Sequence, residues 1–455
     1  MKERNSATFI SAHFFSAVKV ATLCTMAWTT STLVSCGPMN EIDQQYAADE
    51  AKYDGGKNDQ DKHHGKHKDK HDEQGGDATS PTTSGATTSG ETTTKDDKSD
   101  KSSADKTSAD KSSADKTGSD ADNRKGAHGH DQPKTAAKWY ITMHGEPGGN
   151  TVHALSGEGE MLGNILEAVP ESAGGNAKGV RGMLHTGEHG LMVVSASMEN
   201  TRLLRYGAPT SDGELPFLSV FASKELSDPN LVHSYALAVG ANGTIYASNQ
   251  DTNTVTAYEG IGTLHPGQPV PVPAEIVGLG IPAGTIVPRA QVSPQGITEI
   301  RGIAIGADNL LYVCDRGASQ VVVFDPKTGL RKSVLADATN GLKHPIQLLF
   351  APDGFTLYLT DNGVPAIFRI NVKTGNIILF ANTATGCPAL PSSLAMDNEH
   401  LYVGDRKKKQ IIRFKIANGE CDKKPFAESL PDAPEFMIPS TPMPPASKLQ
   451  PSSTP

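Results

Sequence analysis

Two catalytic signatures are missing from this chain. It has no Gly-X-Ser-X-Gly elbow and no His-Glu-X-X-His pair, so neither the serine-hydrolase turn nor the helical zinc-protease motif is present. Large apolar side chains are almost absent from about residue 37 to 136. Such a stretch cannot bury enough surface to offset its chain entropy, and it is expected to be disordered. A cationic excess is missing too: 42 Lys and Arg face 51 Asp and Glu, a net charge of −9. That balance argues against nucleic acid as a partner. Cysteine is scarce, with Cys24, Cys36, Cys314, Cys387 and Cys421 making up the full set.

What is present begins with an export signal. Lys2, Arg4 and Lys19 precede a moderately apolar run from Val20 to Val34. A positive start, an apolar run and small residues mark a segment removed from the mature protein. The run is too short and too rich in Thr and Ser for a membrane-spanning helix. Its end, Leu33-Val34-Ser35-Cys36, resembles the lipobox of bacterial lipoproteins. That resemblance implies cleavage before Cys36 and acylation of its thiol and new amino terminus, palmitate among the acyl groups. Three acyl chains anchor firmly, since each buried methylene adds about 0.8 kcal/mol. Gly37 is not the Asp that resembles an inner-membrane retention signal. The expected location is therefore a bacterial outer membrane, with the folded domain facing the periplasm or the exterior. Export also argues against nucleic acid.

Residues 36–136 are expected to form a disordered tether after a signal peptide at 1–35. One part is rich in His, Lys and Asp. Another is a Thr, Ser and Gly tract, and a third is a five-residue repeat beginning Asp100-Lys101-Ser102-Ser103-Ala104. A flexible chain of this length spans about 50–60 Å on average, enough to hold a domain off a membrane. His63, His64, His67 and His71 carry imidazoles that suit Zn²⁺, Cu²⁺ or Ni²⁺. Their spacing matches no structured zinc site, and the interleaved lysines repel a cation. They are weak metal candidates beside the simpler expectation of a solvated linker.

Residues 137–438 repeat. Tyr246, Tyr312, Tyr358 and Tyr402 sit at one position of a strand–turn–strand pattern, with steps of 312−246 = 66, 358−312 = 46 and 402−358 = 44. A period near 45 with short strands and Asn-Gly or Asp-Gly turns predicts an all-β propeller. The long step has a visible cause, a Pro- and Gly-rich insertion from Gly260 to about Gly296. Two fainter blades precede these four, around Arg181–Tyr206 and Trp139–Leu155. The Trp139–Leu155 blade lacks an innermost strand, which Pro434-Glu435-Phe436-Met437-Ile438 is placed to supply. Six blades are expected, ahead of five or seven. A Pro- and Ser-rich tail, 439–455, is expected to be disordered.

The pattern apolar-Tyr-Val-X-Asp, a short loop, then Gln-apolar-apolar-X-Phe is similar to NHL repeats. Asp315, Asp361 and Asp405 recur at one repeat position, where the expected role is capping of loop amides rather than function. More distantly, the chain resembles the senescence-marker/gluconolactonase propellers, which hold a metal in the channel for lactone hydrolysis. On that resemblance Ile346 stands where the family's ligand Asn would be, and Ser392 where its ligand Asp would be. Glu146 only loosely resembles the family's first-blade Glu. A metal-dependent lactonase or esterase, with Ca²⁺ or Zn²⁺, is therefore the alternative, and no cofactor is expected otherwise.

The leading expectation is a membrane-anchored, non-catalytic binding scaffold of the bacterial cell envelope. Its partner would be an envelope protein or a polysaccharide. The insertion 260–296 and the basic run Arg406-Lys407-Lys408-Lys409 are the candidate partner surfaces. Cys387 and Cys421 are candidates for a disulfide in an oxidising compartment. The strand assignment puts them on opposite faces, while a disulfide tolerates only about 4.4–6.8 Å between Cα atoms, so that pairing stays open. Cys314, within an inner strand, is expected to be a buried thiol.

Overall fold

The computed structural model describes residues 134–442, apart from 146–147, 188–189, 226–227 and 386–387. The signal segment with its Leu33–Cys36 motif, the His-rich linker, Glu146, Cys387 and the chain beyond 442 lie outside the described residues.

Six antiparallel sheets, five of four strands and one of three, form a six-bladed β-propeller. Among the described residues no α-helix occurs, only short 3₁₀ turns. The inner strands of the second to sixth blades are Val180–Thr186, Ser234–Val239, Ile300–Ile305, Pro345–Phe350 and Pro391–Met396. The first blade takes its inner strand from the far end of the sequence. Ala433–Pro439 pairs with Trp139–His144, placing Met437 opposite Ile141 and Ile438 opposite Tyr140. This closure leaves neither end of the ring as a bare sheet edge.

The repeated tyrosines have a packing reason. Tyr312 lies edge-on to Phe350 of the next blade, 5.1 Å between ring centres, and Tyr358 lies edge-on to Phe380 at 5.4 Å. Aromatic pairs favour such geometry because the positive ring edge meets the negative face. The hydroxyls stay satisfied at the wet end. Tyr312 donates to Asp308 and Tyr402 to Asp397, each at 2.8 Å.

Two departures from the regular pattern stand out. The long segment after Tyr258 contains the outer strand of the third blade, Thr285–Val287, which pairs with Thr254–Tyr258. The segment is thus an extended crossover within the blade rather than an addition outside it. The sixth blade has three strands, and its outer edge is covered irregularly by bridges from Ile411 to Ala427 and from Phe414 to Cys421. Phe426 there packs on Tyr402, which in turn packs on Trp139 at 4.4 Å, joining the last blade to the first.

Candidate functional site

Every inner strand breaks register near its start. The shifts fall between Val180 and Met183, Ser234 and Leu237, Ile300 and Ile303, Pro345 and Gln347, and Pro391 and Leu394. The sixth falls at Thr142/Met143, opposite Glu435. A bulge adds an unpaired residue and re-aims its side chain. The bulged residues include Arg181, Tyr235, Arg301, Ile346, Ser392 and Glu435, one from each blade around the axial channel. Gly182 and Gly302 follow two of them for a steric reason. A Cβ on Gly182 would lie 2.7 Å from the Tyr235 carbonyl oxygen, and one on Gly302 2.5 Å from that of Ile346. Neighbouring inner strands therefore touch at this level.

Charges gather at this end of the channel. Glu435, 1% exposed, accepts from the Arg181 guanidinium at 3.2 Å. Its other oxygen lies 3.6 Å from Arg406 Nη2 and 3.7 Å from His144 Nδ1. Arg181 also meets His144 Nδ1 and His233 Nε2, each at 3.1 Å, and His233 Nδ1 contacts Asp251 at 3.1 Å. Burial by itself would push the Glu435 carboxyl up. The Arg406 and Arg181 guanidiniums, His144 and the Tyr235 hydroxyl more than offset that and hold it at about 2. Burial is also the first cause that raises the Tyr235 phenol well above its usual value, with the Glu435 charge adding to it.

The recurrent acids do structural work just outside this ring. Asp361, fully buried, accepts from the backbone amides of Lys343, His344, Gly363 and Val364 at 2.7–3.0 Å. Asp315 accepts from Thr298, Glu299 and Ala318 amides and from Gln320 Nε2. Asp405 accepts from Ala389, Leu390, Lys407 and Lys408 amides. Each carboxylate thus ties two loops together through charge-assisted bonds. In the second and third blades the same register position holds Ser195 and Asn249, and in the first blade His144.

In four of the six blades the residue after this position is polar: Gln250, Arg316, Asn362 and Arg406, whose backbone amides donate to the His233, Glu299, His344 and Leu390 carbonyls. Gln250 Oε1 and Asn362 Nδ2 are buried without a protein partner. Buried polar atoms are nearly always paired, and an orphan costs about 1–3 kcal/mol.

The basic run separates into different environments, because the strands His400–Asp405 and Gln410–Lys415 leave only a four-residue turn between them. Arg406 turns inward, its side chain 12% exposed, and meets Glu435. Lys409 donates to the Pro431 carbonyl at 3.2 Å and lies 3.5 Å from Asp432. Lys408 is exposed and Lys407 half-buried, so the four side chains do not form one basic face. Cys421 is half-buried, and Cys314 is a fully buried free thiol that burial, with nearby Asp361 and Asp315, raises well above its usual range.

Of the gluconolactonase-like positions, Ile346 and Ser392 lack the amide and carboxylate ligands that a cation site there would need. Ile346 is 1% exposed within the aliphatic core. Ser392 donates its hydroxyl to the Pro434 carbonyl at 2.6 Å. Among the described residues no group of three His, Cys, Asp or Glu side chains converges as a metal would require.

Arg181 and Arg301 carried one sequence signal, an Arg-Gly pair opening an inner strand in two blades. Glu435 carried none, because its partners come from distant blades.

A six-bladed propeller with a charged channel end is the class that fold and site define. No family model matches the chain, and no curated protein matches it. Solved structures resemble it in fold. A chain of a nidogen/laminin complex is 14% identical, with a TM-score of 0.48, over 67% of this chain and 98% of that one. A streptogramin B lyase is 13% identical, TM-score 0.37, over 56% and 70%. A gluconolactonase from Xanthomonas campestris is 16% identical, TM-score 0.41, over 57% and 79%.

Proposed function

We propose that this chain is an envelope-tethered, non-catalytic binding protein. Acylated Cys36 anchors it to a bacterial membrane, the outer one, through the 36–136 linker. The polar end of the propeller channel receives a polar group of the partner, an envelope protein or a polysaccharide. The observation that carries this reading is the pair of orphaned amide atoms, Gln250 Oε1 and Asn362 Nδ2, on residues that directly follow those paired with the inner-strand starts. One acceptor and one donor, already desolvated and left unpaired, are what a preorganised polar site presents. The hydrolase alternative would need anionic or amide oxygen ligands where Ile346 and Ser392 stand; Ile346 has no ligand atom and Ser392 offers only a neutral hydroxyl held by the Pro434 carbonyl.

The test uses the full chain and its Gln250→Ala/Asn362→Ala double variant. Each is assayed for binding to isolated envelope polysaccharide and to envelope proteins, alongside metal content after dialysis against trace Ca²⁺ and Zn²⁺. Retention by one fraction, lost in the double variant, supports the reading. About one tightly held ion per chain, with turnover of a lactone, overturns it.

A further inference from the structure

The opposite end of the channel is chemically different. Three residues past each inner-strand start, at one register level, stand Met183, Leu237, Ile303, Leu348, Leu394 and Phe436, one from each blade. All six are at most 9% exposed. They and their neighbours enclose a cavity of about 380 Å³, within the range of small-molecule sites. Its mouth lies among the far ends of the inner strands, at Phe350, Pro352 and Pro439. Its side chains are mostly aliphatic, thioether and aromatic, with His185 and Gln347 the polar exceptions, and no acid or lysine lines it.

One polar side chain reaches the inner end. Gln347 lines the cavity, is 6% exposed, and its Nε2 has no acceptor in the protein. Near the mouth His185 Nε2 is engaged by the Pro439 carbonyl at 2.8 Å, so the Gln347 amide is the donor left over.

We propose that this cavity is a second binding site, for a small, uncharged, largely apolar molecule carrying one hydrogen-bond-accepting oxygen. Apolar walls drive entry by removing surface from water. The Gln347 N–H then sets orientation, because a buried donor discriminates strongly against an analogue that leaves it unpaired. A charged ligand is disfavoured, since nothing in the wall compensates a buried charge. The site stands independently of the polar end.

The probes are 1-indanone, which offers one carbonyl, and indane, the matching hydrocarbon. The readout is the methyl spectrum of the full chain with ¹³C-labelled methionine. Indanone should shift the methyls of Met183, Met396 and Met437, which line the cavity, and leave those of Met143 and Met192 in place. It should bind at least tenfold more tightly than indane. Gln347→Leu should remove that preference while indane still binds. Leu348→Trp should block both probes, and Leu394→Phe is the milder filling variant should Leu348→Trp fail to fold. The Gln250→Ala/Asn362→Ala variant should bind indanone as the parent does. No shift at saturating indanone, or shifts unchanged in a folded filling variant, overturns the site. Equal affinity for indanone and indane overturns the role of Gln347.

Discussion

Arg181 and Glu435 lie 254 residues apart in the chain, and their side chains meet at 3.2 Å. The pair links the inner strand of the second blade to the strand that closes the ring. It is buried, and Arg406 and His144 add to it from two further elements.

Acid should loosen this closure in a defined window. Glu435 titrates near 4.5 when unfolded and is held at about 2 in the fold. A folded value below the unfolded one means that the ionised carboxylate is favoured by folding. Its contribution is complete above about pH 4.5 and disappears as pH falls toward 2. A gap of that size corresponds to about 3 kcal/mol. Urea midpoints measured across that range should fall steeply for the parent. Glu435→Gln should start lower at pH 7, by about 3–5 kcal/mol because Arg181 and Arg406 lose their counter-charge, and should show a flatter slope. Parallel slopes would remove Glu435 as the cause.

Asp361→Ala should be among the most destabilising substitutions in the domain. It strands four backbone amides that one carboxylate now satisfies. The expected loss is about 3–5 kcal/mol. Asp361→Asn should lose less, as Asn249 already occupies the equivalent place in the third blade. Equilibrium urea unfolding gives both numbers, and equal losses would contradict the capping account.

Deleting residues from 433 onward should open the ring. Trp139–His144 would lose its partner strand and become a sheet edge. Loss of a single cooperative thermal transition is expected, with recovery when a peptide spanning 433–442 is added in excess. A truncated chain that still melts like the parent would show that closure is dispensable.

Cys36→Ala should abolish incorporation of labelled palmitate in cells and release the chain from the membrane fraction. Labelling that persists in this variant would place the anchor elsewhere.

The ring was legible because its unit is local. The period of Tyr312, Tyr358 and Tyr402 and the turns between strands lie within one blade's length of their cause, and the segment around Glu435 was placed because the first blade lacked a strand. The outer strand Thr285–Val287 was hidden inside a Pro-rich crossover, where three residues give no pattern. The Arg181–Glu435 pair was invisible for a different reason. Only ring closure brings its members together, and the bulges that aim them leave no mark on hydrophobic alternation. Four adjacent basic residues suggested one surface. The turn that carries them sends Arg406 inward and Lys409 toward Asp432, a divergence set by backbone path rather than composition.

The first blade is assembled from the two extremes of the domain, 139–164 and 433–439. Synthesis from the amino terminus therefore delivers its innermost strand last. Closing so long a loop costs little more free energy than closing a short one, since the penalty grows only with the logarithm of length. The rate is another matter, because distant pairings must be found before they reward the search. Until residue 439 is available, Trp139–His144 presents an unpaired edge to any neighbour. The finished ring is protected, and the vulnerable moment belongs to its making.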